Sequence, residues 1–129
     1  MYIMEETKRM KVGEIRTLLG ATLLTEEVEE IMERVIKNAY ASELMREVLA
    51  NTHENDVLIT GLNNMQVIRT SEMMDIPLII FVRGKKPSEE MVRMAQMKGI
   101  CVLASSQSMF NCCGILYEAG IRGGTGYGE

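Results

Sequence analysis

The sequence predicts an α/β fold, a layered single domain with a mainly parallel sheet flanked by helices. Residues 56–120 read as one unit repeated three times: a short apolar run, a turn, then an amphipathic helix. Parallel neighbours cannot be joined by a tight hairpin, so such units in succession specify strands linked by crossover helices. A chain of 129 residues that is 47% hydrophobic also has enough apolar material for one packed core.

Before the repeat, Val12, Ile15, Leu18 and Leu19 fall at helical spacing and Gly20 follows as a C-cap, which predicts a helix over 11–19. Residues 21–24 read as a brief strand. From 25 to 40, Thr25 is suited to cap a helix whose face would be Val28, Ile31, Met32, Val35, Ile36 and Ala39. The pairs Glu30–Arg34 and Glu33–Lys37 would support it. Ser42 is suited to cap a next helix that buries Leu44, Met45, Val48 and Leu49, and the polar run 51–56 ends it.

The units follow as a strand over 56–61 and helix over 63–75, a strand over 76–84 and helix over 87–99, and a strand over 100–105 and helix over 106–120. The resulting organisation is an N-terminal extension at 1–10, in which Tyr2, Ile3 and Met4 could dock, a domain at 11–120, and a flexible tail at 121–129. That tail holds four glycines in nine residues. It lacks the strand and helix that a dinucleotide-binding glycine motif requires around it.

A formal charge of −4 and a pI near 5.1 argue against a nucleic-acid platform, which gains affinity through clustered Lys and Arg, and 5% aromatics offer few stacking surfaces. No apolar run approaches the roughly 20 residues that span a bilayer. The start carries Glu5 and Glu6 where a signal peptide would be apolar, so the expected location is cytoplasmic. Three cysteines, an odd count, suit a reducing compartment. Twelve methionines fit either adaptable core packing or a permissive interface.

Parallel strands place their following loops on one rim, where such sheets bind ligands. Here those loops are residues 61–64, 83–87 and 104–107. Each leads into a helix amino terminus, whose N–H groups and dipole favour an anion. The candidate ligand-binding residues are therefore Gly61, Asn63, Asn64, Arg83, Gly84, Lys85, Ser105 and Ser106, with Gln107 and Lys86 nearby. The other reading stays open: Asn and Ser are ordinary N-caps, and Lys-Lys-Pro is an ordinary solvated turn.

No catalytic or metal constellation is found, and no cofactor is implied. Gly84-Lys85 has Ile79 where a phosphate loop would begin with glycine. The sole histidine, His53, reads as a surface residue, and neither Asp56 nor Asp75 lies at a strand's carboxyl end. Adjacent Cys112 and Cys113 point about 100° apart on a helix, which suits buried packing better than a metal pair. Their helix has Glu118 as its only formal charge between Ser106 and Ala119, with Met109, Phe110, Ile115, Leu116 and Tyr117 around it. A helix apolar nearly all round needs cover on more than one side, and a second copy of the chain is the simplest cover.

An ordered set of motifs resembles the DRTGG domain family, like the amino-terminal domain of HPr kinase. These are Thr60-Gly61 before a helix through Ile68 to Asp75, Ile76-Pro77 opening a strand that ends in a glycine turn, Pro87-Ser88-Glu89-Glu90 starting a helix, and Gly99-Ile100 opening the last strand. The similarity reaches back through residues 38–45 and covers about 11–120. Leu62-Asn63 stands where the family has Asp-Arg, and Val82-Arg83-Gly84 where it has Thr-Gly-Gly. The resemblance implies a homodimeric regulatory or ligand-sensing module without kinase activity, because the catalytic domain with the phosphate loop is not in this sequence. It also implies a strand over 35–40, and a shorter helix over 26–33.

The sequence thus supports a non-enzymatic, homodimeric sensing domain that binds a small anionic metabolite or nucleotide at the rim. The alternative is an accessory protein of a larger enzyme complex with no small-molecule ligand.

Overall fold

A computed structural model describes residues 8–124. Tyr2, Ile3 and Met4, and residues 125–129 of the glycine-rich tail, lie outside the described residues. The elements in order are β1 (Met10–Lys11), α1 (Val12–Leu19), β2 (Thr22–Leu23), α2 (Glu29–Met32), β3 (Val35–Ile36), β4 (Ala39–Ala41), α3 (Met45–Asn51), β5 (Val57–Thr60), α4 (Met65–Met73), β6 (Leu78–Phe81), α5 (Glu89–Met97), β7 (Cys101–Ala104) and α6 (Met109–Glu118).

The five-stranded sheet runs β2-β7-β6-β5-β4. β4, β5, β6 and β7 are parallel, with Val57 opposite Leu78 and Leu78 opposite Cys101, so the predicted parallel sheet is present. β2 joins β7 antiparallel at one edge, and β1 and β3 form a separate antiparallel ribbon. Every residue of β5 and β6 is buried, because helices cover both faces. Leu58, Ile79, Phe81 and Val102 pack with α3, α4 and α5 through Met45, Val48, Val67, Ile68, Met91 and Ala95. Val57, Ile59, Leu78, Ile80 and Leu103 pack on the other face with Val12 and Ile15 of α1 and Cys112 and Leu116 of α6.

The methionines serve mostly as packing: Met45 and Met91 are buried, and Met10, Met32, Met65, Met74, Met94 and Met109 lean on the two clusters. Met73 and Met97, at the ends of α4 and α5, are exposed.

Residues 25–40 depart from the helical periodicity. The helix is a single short segment whose N-cap is Val28, and Thr25 is a buried part of the sheet edge instead. Glu33 lies beyond α2 and pairs with Lys11 at 2.7 Å rather than with Lys37. The strand expected over 35–40 is present as two pieces. Ile36 is buried opposite Met10, while Ala39–Ala41 pairs with β5.

Ser42 precedes α3 without being its formal cap. Its hydroxyl accepts the Leu44 N–H at 3.0 Å, and Leu44 and Leu49 remain exposed while Met45 and Val48 face the sheet. The first residues of the expected tail are built into the domain: Ile121 is buried, and Arg122 forms a parallel bridge with Asn38.

Candidate functional site

The carboxyl ends of β4, β5, β6 and β7 bring four loops to one rim, residues 42–44, 61–64, 82–88 and 105–108. α3, α4 and α5 leave it toward one face and α6 toward the other, so the chain diverges between β6 and β7. In open parallel sheets that divergence is where a ligand crevice forms. Here it is stitched by backbone hydrogen bonds. Arg83 N–H donates to Gln107 O and Gly84 N–H to Ser105 O, both at 2.8 Å, so these amides are already used. Arg83 (φ 57°) and Gly84 (φ 68°) both take left-handed backbone to make that turn.

The Ser105 hydroxyl is buried and accepts the Gln107 N–H at 3.1 Å, which makes it a brace of its loop. Ser106 and Lys85 are exposed. Asn64 caps α4 by accepting the Gln66 N–H at 2.9 Å, and Ser88 caps α5 by accepting the Met91 N–H at 3.2 Å. Asn63 Nδ2 donates to Lys86 O at 3.1 Å and ties the second loop to the third.

Between the amino ends of α4 and α5 lies an open cleft of about 450 Å³. Asn63, Asn64, Arg69, Lys86, Ser88 and Glu90 line it above Met65 and Met91. It offers amide and hydroxyl groups, two cations and one carboxylate, a set suited to a polar ligand carrying negative charge. Of the residues predicted for the site, the cleft brings together Asn63 and Asn64. Gly61 and Arg83 meet at a second point on the rim, where the Arg83 guanidinium crosses Gly61 and lies 3.4 Å from the Glu43 carboxylate. Arg69 and Ser88 are not among the site residues that the sequence predicts. Arg69 follows Met65 by four residues and so shares its helical face, a spacing that could have found it.

Two apolar features lie away from the rim. A groove of about 120 Å³ beside β4 is lined by Ala39, Ala41, Ile59, Leu116, Tyr117 and Arg122, and the Arg122 guanidinium stacks 3.9 Å from the centre of the Tyr117 ring. Phe110, Cys113, Gly114 and Tyr117 form an exposed or half-buried stripe along α6. At the far end of the sheet, burial raises the Asp56 carboxyl above the usual range, opposed by the His53 N–H that it accepts at 2.9 Å. His53 itself is exposed. Burial raises all three thiols, Cys101 to about 11. Among the described residues no helix is long and apolar enough to cross a membrane.

The family model of the DRTGG domain matches residues 14–119. No curated protein matches the chain. Its fold is similar to the crystal structure of the CBS and DRTGG domains of the regulatory region of Clostridium perfringens pyrophosphatase, complexed with its activator diadenosine tetraphosphate. The TM-score is 0.70 at 16% identity, over 89% of this chain and 51% of the other, so this chain spans about half that structure's length.

Proposed function

Since the chain belongs to the DRTGG domain family, we propose that it is a non-enzymatic regulatory domain that senses a small anionic metabolite, a nucleotide in the first instance, at the loops following its parallel strands. The observation that carries this reading is the cleft at the α4 and α5 amino ends, where Asn63, Asn64, Arg69, Lys86 and Ser88 surround one polar opening in an acidic protein. Asn63, Asn64 and Lys86 contact the ligand directly, Lys85 and Ser106 add charge and donors from the loops beside them, and Gly84 and Ser105 hold those loops in shape. The pyrophosphatase structure supports a nucleotide, because it holds CBS and DRTGG domains of a regulatory region complexed with one.

The active form is a homodimer joined through α6. Phe110, Cys113, Gly114 and Tyr117 are spaced symmetrically about the helix midpoint, large–small–small–large, so an antiparallel copy can set its large residues against the partner's small ones. The same stripe serves a second reading, an accessory component of an enzyme assembly, because an exposed apolar helix face also fits a partner of different sequence.

The test is a thermal-shift panel of mono- and dinucleotides and pyrophosphate, with mass measured in parallel by light scattering. A ligand at 100 times its Kd stabilises by about 2.7 kcal/mol, and Arg69→Ala with Lys86→Ala is expected to abolish that gain. Phe110→Glu is expected to halve the mass. A flat panel together with co-purification of a stable partner protein would favour the accessory reading.

A further inference from the structure

The structure assigns Arg83 an oxyanion seat that the chain's own Glu43 carboxylate occupies in the resting state. This rests on the rim reading above and adds its regulation. Three rim loops meet at the seat: Glu43 follows β4, Gly61 follows β5 and Arg83 follows β6. Gly61 makes room for it, since a Cβ there would lie 2.5 Å from Glu43 Oε2 and 2.8 Å from Arg83 Nη2. Any larger residue at position 61 would displace both charged groups.

Arg83 adopts left-handed backbone, φ 57°, which disfavours any residue with a Cβ and which glycine enters without strain. Local strain of this kind collects where a side chain has a task. Its backbone N–H is fixed to Gln107 O, so the loop is anchored while the guanidinium reaches across Gly61. The guanidinium carries five N–H donors in a fork shaped for bidentate oxyanions, yet it meets Glu43 through one nitrogen at 3.4 Å, with both side chains about half exposed. So loose and solvated a pair is readily displaced. A phosphate or carboxylate ligand arriving at the rim takes the fork in bidentate fashion and releases Glu43. Release frees the Glu43 side chain beside the start of α3, whose N-cap Leu44 has no side-chain cap of its own, while Ser42 N–H stays bonded to Ile59 O. Binding at the β6 loop is thereby communicated to the edge of the sheet.

The experiment titrates inorganic pyrophosphate against the full chain at constant ionic strength, reading apparent Kd by thermal shift for the native protein, Glu43→Ala, Arg83→Gln and Glu47→Ala. Glu47 is an exposed acid on α3 and controls for net charge. Glu43→Ala is expected to bind about two- to fivefold more tightly, Arg83→Gln more weakly, and Glu47→Ala as the native chain does. Equal affinity in native, Glu43→Ala and Arg83→Gln proteins would overturn the seat while leaving the rim reading intact. So would a gain in Glu47→Ala that matches Glu43→Ala. No binding by any of the four would overturn both.

Discussion

The Thr25 hydroxyl accepts the Val102 N–H at 3.1 Å, while Leu24 N–H donates to Val102 O at 2.9 Å. β2 has ended at Leu23, so a side chain completes the sheet edge where no strand carbonyl is supplied. Thr25→Val keeps the shape and removes the acceptor, leaving a buried N–H unpaired. It is expected to destabilise the domain by about 1–3 kcal/mol in urea denaturation, and Thr25→Ser to recover most of that. A loss below a few tenths of a kcal/mol would mean that water or backbone replaces the hydroxyl.

Asp56 sets a pH dependence. Its carboxyl is raised in the folded protein, first by burial, so between the unfolded and the native value the native state binds more proton than the unfolded chain does. Stability contributed by this group is therefore present at low pH and falls as pH rises from the unfolded value through the raised native one. Asp56→Asn retains an acceptor for the His53 N–H and is expected to be more stable than the native protein near neutral pH. The difference should shrink on acidification. An unchanged difference from pH 4 to 8 would show that Asp56 titrates normally.

The thiols report on α6. Cys101 and Cys112 are buried with raised pKa values and are expected to react with a disulfide reagent at pH 8 only as the protein unfolds. Cys113 is half buried within the α6 stripe, so a dimer through that stripe shields it. Its labelling is expected to accelerate on dilution and in Phe110→Glu, and Cys113→Ser to remove that phase. A Cys113 rate independent of concentration and of Phe110 places the dimer interface elsewhere or removes it.

Arg83 separates stability from ligand response. Arg83→Gly relieves left-handed backbone while increasing chain entropy, so its stability is expected within about 1 kcal/mol of native, with weakened pyrophosphate binding. Arg83→Val places a branched side chain at φ 57° and is expected to lose more than about 1 kcal/mol. Equal stability for the two variants would show that the loop relaxes out of this conformation.

The parallel strands were legible because β5, β6 and β7 are apolar runs bounded by Gly, Pro or Asn turns and separated by helical segments long enough for crossovers. Residues 25–40 were legible only through the family resemblance, because Val28, Ile31, Met32, Val35 and Ile36 satisfy a helical period while distant partners decide the outcome. Lys11 and Met10 pair with Val35 and Ile36 and turn them into a strand. Position 83 was legible only in part. The resemblance puts glycine there, which the left-handed backbone would suit, yet nothing local announces that Arg83 would reach Glu43 forty residues away. The cleft was half read: Asn63 and Asn64 carry a loop signal, whereas Arg69 counts only once α4 and α5 lie side by side.

The most direct test of ligand binding at the rim is an amide NMR titration of the isotope-labelled chain with pyrophosphate and with a dinucleoside polyphosphate. Shifts are expected at Asn63, Asn64, Lys86 and Ser88 and in residues 42–44. Shifts confined to the opposite end of the sheet, around His53, Asp75 and Gly99, or none at saturating ligand, would contradict it.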